Sequence, residues 1–125
     1  MRFRLRAAAA LTAALLATAP VQAQQVRMLV QSSPLAGFRY HEGPIVFPEL
    51  RAGDRLDLVR EPDNPHDPNA VRVDWRGRRL GYVPRRENSA LAWAMDRGEP
   101  LSARISALRA HRNPRQRVEF EVFVE

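Results

Sequence analysis

Glu61-Pro62-Asp63-Asn64-Pro65-His66-Asp67-Pro68-Asn69 holds three prolines and four Asp or Asn residues in nine positions. No helix or strand runs through such a stretch, because proline lacks an N–H and Asp and Asn side chains bond their own backbone. It is an ordered loop or a linker, and its flanks decide which. On the C-terminal side Ala70-Val71-Arg72-Val73-Asp74-Trp75 alternates with a period of two, the signature of a half-buried strand. Arg76-Gly77-Arg78 then reads as a hairpin turn into Leu80-Gly81-Tyr82-Val83. On the N-terminal side Leu56-Asp57-Leu58-Val59 alternates as another strand, entered through the turn Ala52-Gly53-Asp54. Strands on both sides make the stretch an ordered loop inside one domain.

Working outward, Val26–Val30 reads as a first strand and Gly37-Phe38-Arg39-Tyr40 as a second. Gly43, Pro44 and Pro48 predict an irregular connection there rather than a helix. A helix follows Pro84: Leu91, Ala94 and Met95 recur at helical spacing, Ala92 and Trp93 fill in, and Gly98 is a stop signal. Leu101–Leu108 and Val118–Val124 are two closing strands, with Asn113-Pro114 turning the chain between them. In the last strand Val118, Phe120, Val122 and Val124 share one face, opposite Glu119, Glu121 and Phe123. About six short strands and one helix predict a mainly β fold, a small, partly closed β-barrel, with a sandwich as the alternative.

Residues 1–23 have the layout of a secretory signal peptide: basic Arg2, Arg4 and Arg6, a largely apolar 13-residue run Ala7–Ala19, and Val21 and Ala23 at the −3 and −1 positions of a cut before Gln24. Crossing a bilayer takes about 20 apolar residues, so the run is too short for an anchor. The expected division is a leader over 1–23 and one domain over 24–125, exported to the periplasm or secreted. Removing the leader's three arginines from 20 basic against 14 acidic residues leaves a net charge of +3. Every basic residue is arginine, in keeping with a GC-rich genome.

Cysteine is absent, which excludes a thiolate zinc or redox site and leaves stability to packing. Asp63, His66 and Asp67 lie close in the loop, but carboxylates in such loops usually bond nearby amides. The other histidines, His41 and His111, have no sequence relation to them, so no metal site is expected. No serine lies in a G-x-S-x-G elbow, and there is no G-x-x-x-x-G-K-[ST] or G-x-G-x-x-G phosphate loop. An enzyme and a cofactor are therefore not expected. A binding surface is the better reading: Arg39-Tyr40, Tyr82 and Arg85-Arg86 combine rings that stack on unpaired bases with guanidinium groups that bind phosphates.

Taken together, Gly53-Asp54, the run Leu58-Val59-Arg60-Glu61-Pro62-Asp63-Asn64-Pro65-His66-Asp67-Pro68-Asn69-Ala70-Val71-Arg72-Val73, and Leu80-Gly81-Tyr82-Val83-Pro84 resemble the HIRAN family. Gly37-Phe38-Arg39-Tyr40 upstream and Asn88, Leu91 and Ala92 downstream extend the likeness over roughly residues 26–124. The resemblance implies an OB-like barrel that binds single-stranded DNA and grips its free 3′ end. By position it assigns Arg39 and Tyr40 to an Arg-Tyr pair, Asp67 to the end-binding acid and Arg85 to a phosphate-binding lysine position. His66 stands where DNA-binding members have tyrosine, and Tyr82 where they have histidine. The expected partner is single-stranded DNA or another nucleic acid. The leader points to the alternative, an exported cell-envelope interaction domain that reuses the groove for a protein or other ligand.

Overall fold

The alternation on either side of the proline-rich loop becomes three paired strands in the computed structural model, which describes residues 10, 12–17 and 27–125. The strands are β1 (Met28–Pro34), β2 (Arg55–Glu61), β3 (Ala70–Trp75), β4 (Arg78–Tyr82), β5 (Leu101–Leu108) and β6 (Val118–Val124); the α-helices are α1 (Gly43–Val46) and α2 (Ser89–Asp96). All pairings are antiparallel, in the order β1-β6-β5-β2-β3-β4. Of the expected leader only residues 10 and 12–17 are described, without regular structure; the cut at Ala23–Gln24 and Val26 of the expected first strand lie outside the described residues. Among the described residues no helix is long and apolar enough to cross a membrane.

The sheet is two halves joined by a narrow seam. β2 meets β5 only at Arg55–Arg104 and Leu56–Ala103, whereas it pairs with β3 from Asp57 to Glu61. The ribbon therefore folds over on itself at the start of β2. At the far edges the sheet does not close as a ladder. Instead the chain leaving β1 crosses over: Leu35 N–H donates to Val118 O on β6 at 3.1 Å, and the next residue, Ala36, exchanges two 2.9 Å bonds with Tyr82 on β4. This one bridge makes an OB-like, partly closed barrel of a six-stranded sheet.

The period-two patterns explain the interior. Val118, Phe120 and Val122 are fully buried, with Val71, Val73, Leu56, Leu80 and Ile105 around them. Each such side chain contributes about 1.5–3 kcal/mol relative to exposure. Phe123, on the opposite face of β6, is also buried, beneath the Arg104 guanidinium 4.7 Å from its ring centre. At the β3–β4 hairpin Arg76 (φ 48°) and Gly77 (φ 76°) both take left-handed backbone, the two-residue turn that suits strand twist. α2 buries Leu91, Ala92 and Ala94, with Met95 partly buried, and is pinned to β2 by Arg60, whose Nε and Nη2 donate to Asp96 at 3.0 and 3.2 Å.

Two expectations for residues 37–50 are corrected. Gly37–Tyr40 is not a strand: Gly37 has φ 73°, and Phe38–Tyr40 form a 3-10 turn that drives Phe38 into the core. Two residues of alternation do not outweigh a buried phenylalanine and a left-handed glycine. The segment after it is not irregular either, but one α turn (α1) followed by a 3-10 turn, Phe47–Glu49. Pro44 and Pro48 sit in the first turns, where a missing N–H leaves no bond unmade.

Candidate functional site

The proline-rich loop is ordered by its own polar side chains. Asn64 Oδ1 accepts from the amides of His66 (2.9 Å) and Asp67 (3.2 Å), and Asp67 Oδ1 accepts from the amide of Asn69 at 2.9 Å. These Asx turns fold residues 61–69 back toward the barrel. A second tie comes from the turn before α2. Asn88 occupies the N-cap position but makes no side-chain cap; it is buried, and its Nδ2 donates to Asp67 Oδ2 at 2.7 Å. That turn is in turn anchored to β1, since Ser33 Oγ donates to Glu87 Oε2 at 2.7 Å.

Loop, β4 and the pre-α2 turn enclose a pocket of about 390 Å³ lined by His41, Asn64, His66, Asp67, Tyr82, Arg85 and Asn88, with Ala36, Ala70 and Val83 as its apolar floor. Four of the expected site residues, His66, Asp67, Tyr82 and Arg85, thus converge from three separate segments. The other two lie elsewhere: Arg39 and Tyr40 line a pocket of about 320 Å³ with Asn113, Pro114 and Arg115. A third cavity, lined by Ala36, Gly37, Arg85, Arg86 and Arg115, shares residues with both. The six residues belong to one surface with two ends.

Tyr82 is held from behind. Its hydroxyl donates to Glu61 Oε1 at 2.8 Å; Asn64 Nδ2 donates to the same oxygen at 3.1 Å, and Arg72 Nη1 donates to Oε2 at 3.0 Å. Burial works against ionisation of Glu61, but the bonds from Tyr82, Asn64 and Arg72 and the Arg72 charge outweigh it and hold the carboxyl below its ordinary range. Burial and the Glu61 carboxylate both push the Tyr82 phenol up. On the pocket side the His41 ring lies 5.7 Å from the Tyr82 ring, tilted by 58°. Burial, reinforced by the Arg79 charge, lowers the His41 pKa against the opposing pull of Glu61. The pocket thus presents two adjacent flat rings and a carboxylate whose two oxygens each keep an unused lone pair.

Nine of the seventeen arginines among the described residues pair with a carboxylate; of the other eight, Arg51, Arg76, Arg112 and Arg117 do not line this surface. Arg85, Arg86 and Arg115 have no carboxylate partner among the described residues. Arg39 has none either; it lies 4.6 Å over the Tyr40 ring and donates to its hydroxyl at 2.7 Å. All four line this connected surface. Tyr40 is 72 % exposed, so one ring face remains open.

Sequence reasoning missed His41, Asn64, Asn88 and Arg115. It found nothing to bring His41 near the loop, yet the 3-10 turn at 38–40 swings His41 onto Tyr82; no spacing rule signals that. In the sequence Asn88 stands out only as part of a family pattern, and its buried bond to Asp67 exists only in the fold. Among the described residues no group of three or more His, Cys, Asp or Glu gathers as metal ligands.

The surface can be set beside known proteins. The Fanconi-associated nuclease 1 homolog of Oryza sativa subsp. japonica is 36% identical over 73 residues, 55% of this chain and 7% of its own length. The helicase-like transcription factor of Oryctolagus cuniculus is 38% identical over 63 residues, 50% of this chain and 6% of its own length. The chain therefore spans less than a tenth of either relative. Among solved structures, a Lactobacillus plantarum protein superposes with a TM-score of 0.69 at 27% identity, over 79% of this chain and 95% of that one. The HIRAN domain of human HLTF superposes with a TM-score of 0.57 at 22% identity, over 80% and 78% of the two chains, a likeness of fold. The family description "HIRAN domain" matches residues 28–125, the six strands together with the loop and its pocket, and the chain belongs to that family.

Proposed function

We propose that residues 24–125 form a binding module, not an enzyme, that takes single-stranded nucleic acid and holds its 3′ end in the pocket between the proline-rich loop and the pre-α2 turn. The observation that carries this reading is a cluster of cations and rings: Arg39, Arg85, Arg86 and Arg115, none of them paired with a carboxylate among the described residues, line the same surface as Tyr40, Tyr82, His41 and His66. Rings stack on unpaired bases whatever their identity, and unpaired guanidinium groups meet the phosphates between them. Asp67 gives the surface a direction. A carboxylate repels a terminal phosphate but accepts a bond from a terminal hydroxyl, and Asn88 fixes it for that role. Family membership supports the reading. The exchange of ring types at His66 and Tyr82 keeps two stacking faces in the pocket.

Fluorescence anisotropy with short oligonucleotides, free or phosphorylated at the 3′ end, across a salt series tests it. The wild type should prefer the free end. Tyr82→Ala should cost about 1–3 kcal/mol for each base it stacks. Asp67→Ala should abolish the preference while leaving the salt dependence nearly unchanged. Equal binding of both ends by the wild type would reject end capture. No binding at low salt would reject the nucleic-acid reading and leave the exported envelope-interaction domain, which the leader-like residues 1–23 favour.

A further inference from the structure

The β5–β6 connection contributes an unassigned stretch of the groove. Residues 109–117 carry four arginines and a histidine and no carboxylate. Two of the arginines serve the loop itself: Arg109 Nη1 pairs with Glu119 at 2.9 Å at its base, and Arg117 Nε donates to the His111 carbonyl at 2.8 Å. Asn113 N–H donates to His111 Nδ1 at 2.9 Å, and Asn113 Oδ1 accepts from Arg115 N–H at 3.1 Å, opening a 3-10 turn Pro114–Gln116. The loop is therefore held by its own bonds, and neither the Arg112 nor the Arg115 guanidinium takes part in them. Arg115 faces two cavities at once, one shared with Arg39 and Tyr40 and the other with Arg85, Arg86 and Glu87, one of whose carboxylate oxygens is taken up by the Ser33 hydroxyl.

We infer that Arg115, presented by this pre-ordered loop, is a phosphate-binding residue that joins the Asp67 pocket to the Arg39–Tyr40 pocket into one continuous track for a single strand. The inference rests on the nucleic-acid reading of the groove and adds to it the length of strand engaged. The physical reason is spacing along a charged polymer: Arg85 and Arg115 line one cavity and Arg115, Arg39 and Tyr40 the next, so a strand running through these cavities from the pocket to Tyr40 carries its phosphates past Arg115. A cation there, in a loop that needs no ordering on binding, adds affinity only for strands long enough to reach it.

The experiment is anisotropy with oligothymidylates of increasing length, from the dinucleotide upward, at several salt concentrations, on wild type, Arg115→Ala, Arg115→Glu and Arg76→Ala. Arg76 lies over Trp75 away from the groove and controls for the loss of one positive charge. Arg115→Ala should bind the dinucleotide like the wild type, stop gaining affinity at a shorter length, and lower the salt slope by about 0.7. Arg115→Glu should exaggerate both effects, and Arg76→Ala should show neither. Wild-type length dependence and salt slope in both Arg115 variants would overturn the track while leaving the pocket reading intact. A wild type that bound no oligothymidylate at low salt would overturn both.

Discussion

Replacing Gly81 with alanine puts a methyl group where the barrel closes. Gly81 lies between Leu80, which is fully buried, and Tyr82, which lines the pocket. A Cβ on Gly81 would overlap the carbonyl oxygen of Ala36 and press on the Leu35 side chain. A backbone oxygen cannot rotate aside as a flexible side chain does, so the two chains must part and the paired 2.9 Å bonds between Ala36 and Tyr82 open. At a net 0.5–1.5 kcal/mol each, their loss costs about 1–3 kcal/mol. In a domain of this size that lowers the melting temperature by about 4–8 °C per kcal/mol. Gly53→Ala is the comparison. Its Cβ would meet nothing, and its cost is that of left-handed backbone (φ +91°), about 1–2 kcal/mol. The two variants should therefore lose similar stability, and only Gly81→Ala should also weaken oligonucleotide binding, because it moves Tyr82. Thermal melting followed by circular dichroism, with anisotropy well below both melting points, reads the two effects. The reasoning fails if Gly81→Ala melts with the wild type, or if both variants bind oligonucleotide equally well.

The Glu61 network gives a pH-dependent signature. The folded Glu61 pKa is lowered, so its contribution to stability is present above the ordinary carboxylate range and is lost as pH falls through the lowered folded value. Glu61→Gln should remove that part of the acid destabilisation, as chemical denaturation across acidic pH would reveal. In a Tyr40→Phe background Tyr82 is the sole tyrosine, and alkaline absorbance titration should find it above the ordinary phenol range. Glu61→Gln should bring it part of the way down, with the effect of burial remaining; an unchanged curve would show that Glu61 does not hold the ring. We further propose that the chain is exported and cut after Ala23. N-terminal sequencing of the exported protein should begin at Gln24, and a product retaining residues 2–19 would refute it.

The local chemistry of the chain determined a good deal. Alternation fixes β3 and β6 because one face of each must be dry, Arg76-Gly77 turns the hairpin because the strand twist demands left-handed backbone there, and the prolines of 61–69 make that stretch a loop whatever surrounds it. Leu91 and Ala94 set the buried face of α2, and the motif around the loop carried the family. These features depend on residues within a few positions of one another, so periodicity and turn chemistry reach them. Tertiary structure decided the rest. Gly37–Tyr40 has the look of a strand until the core takes in Phe38, and the one bridge that closes the barrel joins residues 36 and 82, for which no local pattern exists. The same long-range contacts bring His41 onto Tyr82, hand the Asn88 side chain to Asp67, and set Arg115 between two pairs of groove residues. A site gathered from five segments is a property of how the barrel folds over its seam, and only packing places side chains that far apart in sequence against one another.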